Sequence, residues 1–228
     1  FEEIFANKEG LLANHSTWTR TELENVCHII NGFPFKSALF NRDKGCPVVR
    51  IRDISKNATE TRYDGEVPKE ALIDDGDMLI GMDGNFRCYE WKGGKAGLNQ
   101  RVCKIVADER LINRKFLLFG INGYLKAIED ATSSVTVGHL SSRDILLIPF
   151  PLPPLPEQKR IVAKVEKLLE KVDASRAQLD KVAAILKRFR QSVLAAACSG
   201  RLTADWRSGK GKAGEWEPSS VGEVVESL

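Results

Sequence analysis

The sequence is poor in the residues from which most catalytic and metal sites are built. Its 228 residues include only three histidines and five cysteines. Cys27, Cys46, Cys88, Cys103 and Cys198 are odd in number, and no two have the C-x-x-C spacing of a zinc ligand pair. This argues against a zinc site and for reduced thiols in a cytoplasmic protein. No metal and no cofactor is expected. Long apolar runs are lacking too. None approaches the ~20 residues of a membrane-spanning helix, and the longest, Ile145 to Pro156, is cut by five prolines. The start, Phe1-Glu2-Glu3, is acidic where a secretory signal is basic. It is also not Met, which suggests a piece of a longer chain.

Catalytic motifs are equally scarce. There is no G-x-x-x-x-G-K-[ST] phosphate loop, no G-x-S-x-G elbow, no H-E-x-x-H helix and no Asn-Pro-Pro-aromatic tetrapeptide. Ser134 and His139 have no acidic residue placed to complete a triad. His28, beside Ile29 and Ile30, reads as a buried or edge histidine. Asp74, Asp75 and Asp77 surround Gly76 without calcium-loop spacing, and read as a turn entering a strand. Nothing positive points to catalysis, and the chain is expected not to be an enzyme.

Basic and acidic residues nearly balance, 34 against 31. The formal net charge is +3, too small to predict nucleic-acid binding by itself. Its distribution is uneven. Residues 18–148 carry 19 basic and 18 acidic side chains, whereas residues 157–198 carry 10 and 5.

What is present begins with Ile148-Pro-Phe-Pro-Leu-Pro-Pro-Leu-Pro156, which holds five of the nine prolines. Proline fixes φ and removes an amide donor, so this segment is extended. Glu157 to Cys198 then contains neither proline nor glycine and keeps a 4-3 apolar spacing. One row is Ile161, Leu168, Ser175, Val182, Phe189 and Ala196; the other is Val165, Val172, Leu179, Leu186 and Val193. This is the signature of a coiled-coil helix, roughly 63 Å long at 1.5 Å per residue. Its stripe needs a partner helix. The alternative is an amphipathic helix folded onto its own domain. Gly200 suits the end of the helix.

Upstream the pattern is mixed. Short strands are expected at Val48–Ile51, Met78–Ile80, Val102–Val106 and Ile145–Ile148. A helix is expected from Asn113 to Ile128, with Asn113 as its cap and Phe116, Leu117, Ile121, Leu125 and Ile128 on one face. The fold class is therefore α+β: a globular domain over 18–150, a proline-rich junction over 151–156, the long helix over 157–198, and a tail over 199–228. Residues 1–17 are unassigned. Trp18 with Leu23 and Val26, and Trp216 with Val221 and Val224, share the spacing W-x4-[LV]-x2-V. The tail thus reads as the opening of a second domain copy.

Three segments are candidates for binding. Asn85 to Arg101 packs four basic residues, three aromatics, three glycines and three amides into 17 positions. Arg87, Asn99, Gln100 and Arg101 have the planar forks that meet base edges, and Lys92 and Lys95 suit phosphates. Tyr89 and Trp91 are equally candidates for core. Lys36 and Ser37 in the turn Ile30–Ser37, and Ser133, Ser134, Thr136 and His139 in Thr132–His139, are the other two groups. The alternative for all three is ordinary solvated loop.

Phe150-Pro-Leu-Pro-Pro-Leu-Pro-Glu-Gln-Lys-Arg-Ile-Val162, running into a long helix, resembles the conserved region of the DNA-specificity subunit of type I restriction-modification systems. Ser199-Gly-Arg-Leu-Thr-Ala-Asp-Trp206 resembles the end of that region, and Trp18–Ser37, Asp75–Ile80 and Leu98–Arg101 resemble parts of a target recognition domain. The resemblance implies a non-catalytic subunit that reads double-stranded DNA. In such subunits two recognition domains each read half of a split site, and two long helices pack antiparallel. Methyltransferase subunits, which methylate adenine, dock on the helices, and a separate restriction subunit cleaves. One domain and one helix are present here, so the expectation is a fragment or a half-subunit that pairs as a homodimer through its helix. The alternatives are a coiled-coil scaffold without DNA binding and a recognition module of another DNA methyltransferase.

Overall fold

The computed structural model describes residues 18–132 and 138–209. The chain divides into two compact units, residues 1–165 and 166–228.

In the first unit, most elements lie where the short apolar runs place them. Strands β1 (Thr19–Glu22), β2 (Cys27–Asn31), β3 (Phe40–Asn41) and β4 (Cys46–Val49) lead into one helical turn, α1 (Ile51–Ile54). Six short strands follow: β5 (Arg62–Tyr63), β6 (Leu72–Ile73), β7 (Met78–Gly81), β8 (Cys88–Glu90), β9 (Ala96–Leu98) and β10 (Val102–Ala107). Helix α2 (Arg114–Thr132), the short α3 (Ser142–Leu146) and β11 (Pro149–Leu152) complete the domain. The long helix α4 (Leu155–Cys198) and the short α5 (Ala204–Ser208) come last. The architecture is an α+β domain followed by a long helix.

Among the described residues there are three sheets, with orders β1-β11, β2-β10-β7-β8 and β3-β5-β4-β9-β6. Strand β7 explains why two of them belong together. Its alternating side chains serve two cores: Met78 and Ile80 join the core under α2, while Leu79 joins the cluster of Val49, Ile54, Trp91 and Leu98. A strand covered on both faces reads as a continuous apolar run, not as an alternation. Helix α2 starts where Asn113 Oδ1 accepts from the amides of Lys115 and Phe116, at 3.0 and 3.1 Å. Its buried face is Phe116, Leu117, Ile121, Tyr124, Leu125, Ala127 and Ile128.

Two expected strands are displaced. Ile145–Ile148 is not a strand. Ser141 Oγ accepts from Asp144 N at 3.1 Å, and the Asp144 carboxylate accepts from Ser141 N at 3.0 Å. This capping box turns residues 142–146 into α3. The strand lies in the prolines instead: β11 pairs antiparallel with β1, Thr21 opposite Phe150 and Thr19 opposite Leu152. Pro149 and Pro151 alternate with residues that keep their amides, which suits a two-stranded ribbon. Likewise Ile51 leaves β4, because the Asp53 carboxylate accepts from Arg50 N at 3.1 Å and closes the α1 turn.

Helix α4 begins at Leu155, so Pro156 falls in its first turn, where a missing amide costs no helical bond. Gln158 is fully buried. Its Oε1 accepts from Asn113 N at 2.6 Å, and its Nε2 donates to Pro153 O at 2.7 Å and Leu111 O at 3.1 Å. One side chain thus ties the helix start to the cap of α2 and to the proline segment.

The second unit is different. Within α4 from Glu166 the apolar rows are open: Leu168, Val172, Leu179, Val182, Leu186 and Phe189 are all exposed, Leu179 by 70%. Ser175 turns its hydroxyl back to Lys171 O at 2.9 Å. The helix stops before Gly200, whose φ of 69° is readily adopted only without a side chain. Among the described residues no helix is long and apolar enough to cross a membrane. The second Trp spacing, from Trp216, lies outside the described residues.

Candidate nucleic-acid interface

Sheet register sorts the first candidate segment into two groups. Ile80 pairs with Cys88 and Gly81 with Val102. Arg87 and Arg101 therefore flank the same end of β7, the end that leads into Met82-Asp83-Gly84. Lys92 and Lys95 follow Glu90, which pairs with Met78 at the opposite end. At roughly 3.3 Å per residue, the two ends are on the order of 10 Å apart.

The Lys92 end is an acidic one. Asp75 Oδ1 accepts from Gly94 N at 2.7 Å, and Asp77 O accepts from Trp91 N at 2.8 Å. Lys92 Nζ lies 3.7 Å from Glu90, and its amide donates to Asn57 Oδ1 at 2.9 Å. Both lysines are exposed. Trp91 is fully buried, and its indole N–H donates to Gly94 O at 2.7 Å. That places Trp91 in the core and removes it from the candidate contacts: a ring with no accessible surface has nothing to offer a ligand. Tyr89 is half-buried against the same cluster.

The Arg101 end gathers residues from all three candidate segments. The Arg101 guanidinium donates to Asp83 Oδ2 at 2.8 Å, and His139 Nδ1 lies 2.7 Å from Asp83 Oδ1. Backbone bonds hold these loops together: Met82 N donates to Arg101 O at 3.0 Å, and Leu140 N to Met82 O at 2.8 Å. The turn Asn31-Gly32-Phe33 rests on the same loop. Phe33 N donates to Leu98 O at 2.7 Å and Gln100 N to Phe33 O at 3.0 Å. A side chain at Gly32 would meet Asn99 O at 2.0 Å, so only glycine permits this approach. Asn99 is half-buried, and its Oδ1 accepts from Arg101 N at 3.4 Å, which shapes the loop. Gln100, Arg101, Arg87 and His139 are exposed. Lys36 and Ser37 are exposed beyond Phe35, which is buried with Val48 and Tyr63. Ser133, Ser134 and Thr136 lie outside the described residues.

Sequence reading passed over Asp83, Gln158 and Asn122. Asn122 Oδ1 accepts from Cys88 N at 2.8 Å and its Nδ2 donates to Cys88 O at 3.1 Å, so one amide satisfies the open edge of β8. Nothing in spacing marks these residues; each acts on a partner tens of positions away. The thiols of this region are inert. Burial pushes Cys27 and Cys103 up from the ordinary value near 9 to about 12, and raises Cys88 as well. Among the described residues no group of histidine, cysteine or carboxylate side chains is placed to hold a metal ion.

The family model of the type I restriction modification DNA specificity domain matches residues 15–184. The chain belongs to this family. It is 48% identical over 205 residues to the type I restriction enzyme EcoBI specificity subunit of Escherichia coli, covering 90% of this chain and 43% of that one. It is 28% identical over 206 residues to the EcoKI specificity subunit of Escherichia coli strain K12, covering 84% of this chain and 44% of that one. It thus spans under half the length of these curated relatives. The HsdS subunit of Thermoanaerobacter tengcongensis superposes with a TM-score of 0.62 at 24% identity, over 86% of this chain and 48% of that one. That likeness is one of fold: an α+β domain followed by a long helix.

Proposed function

We propose that this specificity domain reads one half of a bipartite site in double-stranded DNA, and that it does so without chemistry of its own. The observation that carries the reading is the cluster at the Asp83 end of β7, within the region matched by the family. There Arg87, Asn99, Gln100, Arg101 and His139 come from separate loops to one edge. Forked guanidinium and amide groups discriminate base edges, and each well-placed fork is worth ~1–3 kcal/mol against the wrong base. The groove contacts specify, while Lys36, Ser37, Lys92 and Lys95 are assigned to phosphates. The small net charge of the domain fits a module whose phosphate contacts are shared with other subunits.

The open stripe of α4 supports the second part of the reading. Val165, Leu168, Val172, Leu179, Val182, Leu186, Phe189 and Val193 form the seam for a second long helix, antiparallel, from another copy where this chain acts alone; Ile161, expected in the same row, is half-buried against the core of the globular domain instead. The methyltransferase subunits, modifying adenine, dock on this helical platform, and a restriction subunit completes the complex. The work of such a protein is cytoplasmic.

The test is a set of alanine variants in the assembled methyltransferase complex, measured against a cognate and a scrambled duplex. Arg87→Ala and Gln100→Ala are expected to lose affinity for the cognate duplex alone. Lys92→Ala with Lys95→Ala is expected to weaken both duplexes and flatten the salt dependence. If none of these changes binding to either duplex, the DNA surface lies elsewhere. A scaffold reading fits the open stripe too, and salt-independent behaviour toward any duplex would favour it.

A further inference from the structure

Asp83 is an unusual residue to find at an edge meant for DNA. A bare carboxylate there repels phosphates. Yet both of its oxygens are in use, Oδ2 by Arg101 and Oδ1 by His139. The pair is exposed, with 56% of the Arg101 side chain and 26% of the Asp83 side chain accessible, and exposed ion pairs contribute little to stability. The arrangement is nevertheless rigidly mounted. Asp83 and His139 face each other in a backbone bridge, and Met82 N donates to Arg101 O. Gly84, at φ 73°, turns the chain sharply behind Asp83. All three side chains therefore ride on one ladder, not on separate flexible tips.

We propose that Asp83 is a positioning residue for base recognition: its carboxylate holds one arm of the Arg101 guanidinium and leaves the other arms aimed outward for the O6 and N7 acceptors of a guanine. This rests on the reading above, that this edge meets DNA. Asp83 binds Nη1 alone, and among the described residues no other hydrogen bond of this guanidinium is formed. The remaining N–H groups of an arginine form the planar fork that fits a guanine edge. Holding one arm beforehand removes rotamer freedom that binding would otherwise have to remove. His139 occupies the second carboxylate oxygen and keeps the carboxylate from swinging away from Arg101.

The proposal gives two effects of opposite sign for one substitution. Asp83→Asn removes a negative charge from the DNA-facing edge, so affinity for arbitrary duplex rises. It also frees Arg101, so discrimination falls. A residue serving only the fold would lower both together. The experiment uses the full chain in the assembled methyltransferase complex, a random duplex pool to obtain the preferred duplex, and a scrambled duplex as control, with thermal melts of each variant chain followed by circular dichroism. Arg101→Ala is expected to lose about tenfold or more on the preferred duplex and little on the scrambled one. Asp83→Asn is expected to lose severalfold in discrimination while binding the scrambled duplex more tightly. The double variant should discriminate no worse than Arg101→Ala alone. Arg101→Lys, which keeps the charge but not the fork, should mimic the loss and serves if Asp83→Asn melts early. If Arg101→Ala abolishes discrimination but Asp83→Asn leaves it unchanged, the positioning role is overturned and the DNA reading stands. If Arg101→Ala changes nothing, or no duplex is enriched from the pool, the reading of this edge fails and the inference with it.

Discussion

The globular unit and the helix from Glu166 onward treat the same kind of residue in opposite ways. In the first, Leu23, Leu79, Trp91, Leu98 and Ile121 are wholly removed from water. In the second, Leu168, Leu179, Leu186, Phe189 and Leu194 are more than half exposed. A sheet strand such as β7 finds cover on both faces within its own unit. Among the described residues nothing covers the heptad stripe of the helix, and the proposed cover is a second helix. The difference separates a region that folding alone buries from one whose apolar stripe is left open for the proposed association.

The largest test of that contrast is a pair of truncations. Trp91→Ala removes a fully buried ring and should cost about 3–5 kcal/mol, seen as a sharply lowered melting temperature. Leu179→Ala, measured on the unassociated chain, should change stability by less than ~0.5 kcal/mol. A large effect at Leu179 would mean that the stripe is already covered.

Next in size is association. Placing Asp at both Leu179 and Leu186 puts carboxylates in the proposed seam, where unpaired burial is costly. Sedimentation should show self-association of the unsubstituted chain at micromolar concentration and a monomer for the double variant. A monomer for both would remove the helix pairing from the reading.

Gln158 probes how the first unit fastens the start of α4. Gln158→Leu leaves Asn113 N–H and the carbonyls of Pro153 and Leu111 without their partner. Pro153 is buried, whereas Asn113 is half-buried and Leu111 exposed; one unsatisfied buried group costs ~1–3 kcal/mol, so a loss of about 1–3 kcal/mol is expected in denaturant melts. A neutral outcome would show that the helix start is not fastened by this side chain.

The smallest effects are those of the thiols. Cys198 is exposed, whereas Cys27, Cys88 and Cys103 are buried. A disulfide exchange reagent should modify Cys198 quickly, Cys46 more slowly, and the three buried thiols only on unfolding. The pH dependence has a definite sign. Cys27 and Cys103 stay protonated in the folded protein up to about 12, but ionise in the unfolded chain near 9. Their contribution is fully present below 9 and is lost as pH rises through that window.

Much of the fold was legible because it rests on local rules. The Asn113 cap, the apolar face of α2 and the long uninterrupted helix follow from spacing alone. The displaced strand was not legible, since Ile145–Ile148 looks apolar enough for a strand. What decides against it is the Ser141–Asp144 capping box, and what makes the prolines a strand is the presence of β1 beside them. The candidate segment was legible as composition but not as a surface. Its 17 positions span both ends of β7, so Arg87 and Arg101 part company with Lys92 and Lys95, and Trp91 turns inward.

The sequence by itself determined the class of the protein: an α+β domain, a proline-rich passage and a heptad helix, without a metal or nucleophile pattern. These are properties of neighbours within a few residues, where periodicity, caps and prolines act. Only the tertiary structure decided which residues share an edge. Asp83, Arg101 and His139 are far apart along the chain, and so are Gln158, Asn113 and Leu111. Their meeting depends on strand register and on how β7 is shared between two cores, which no local pattern encodes. A register shift of one residue would turn every side chain of β7 to the opposite face, and the candidate site would not exist.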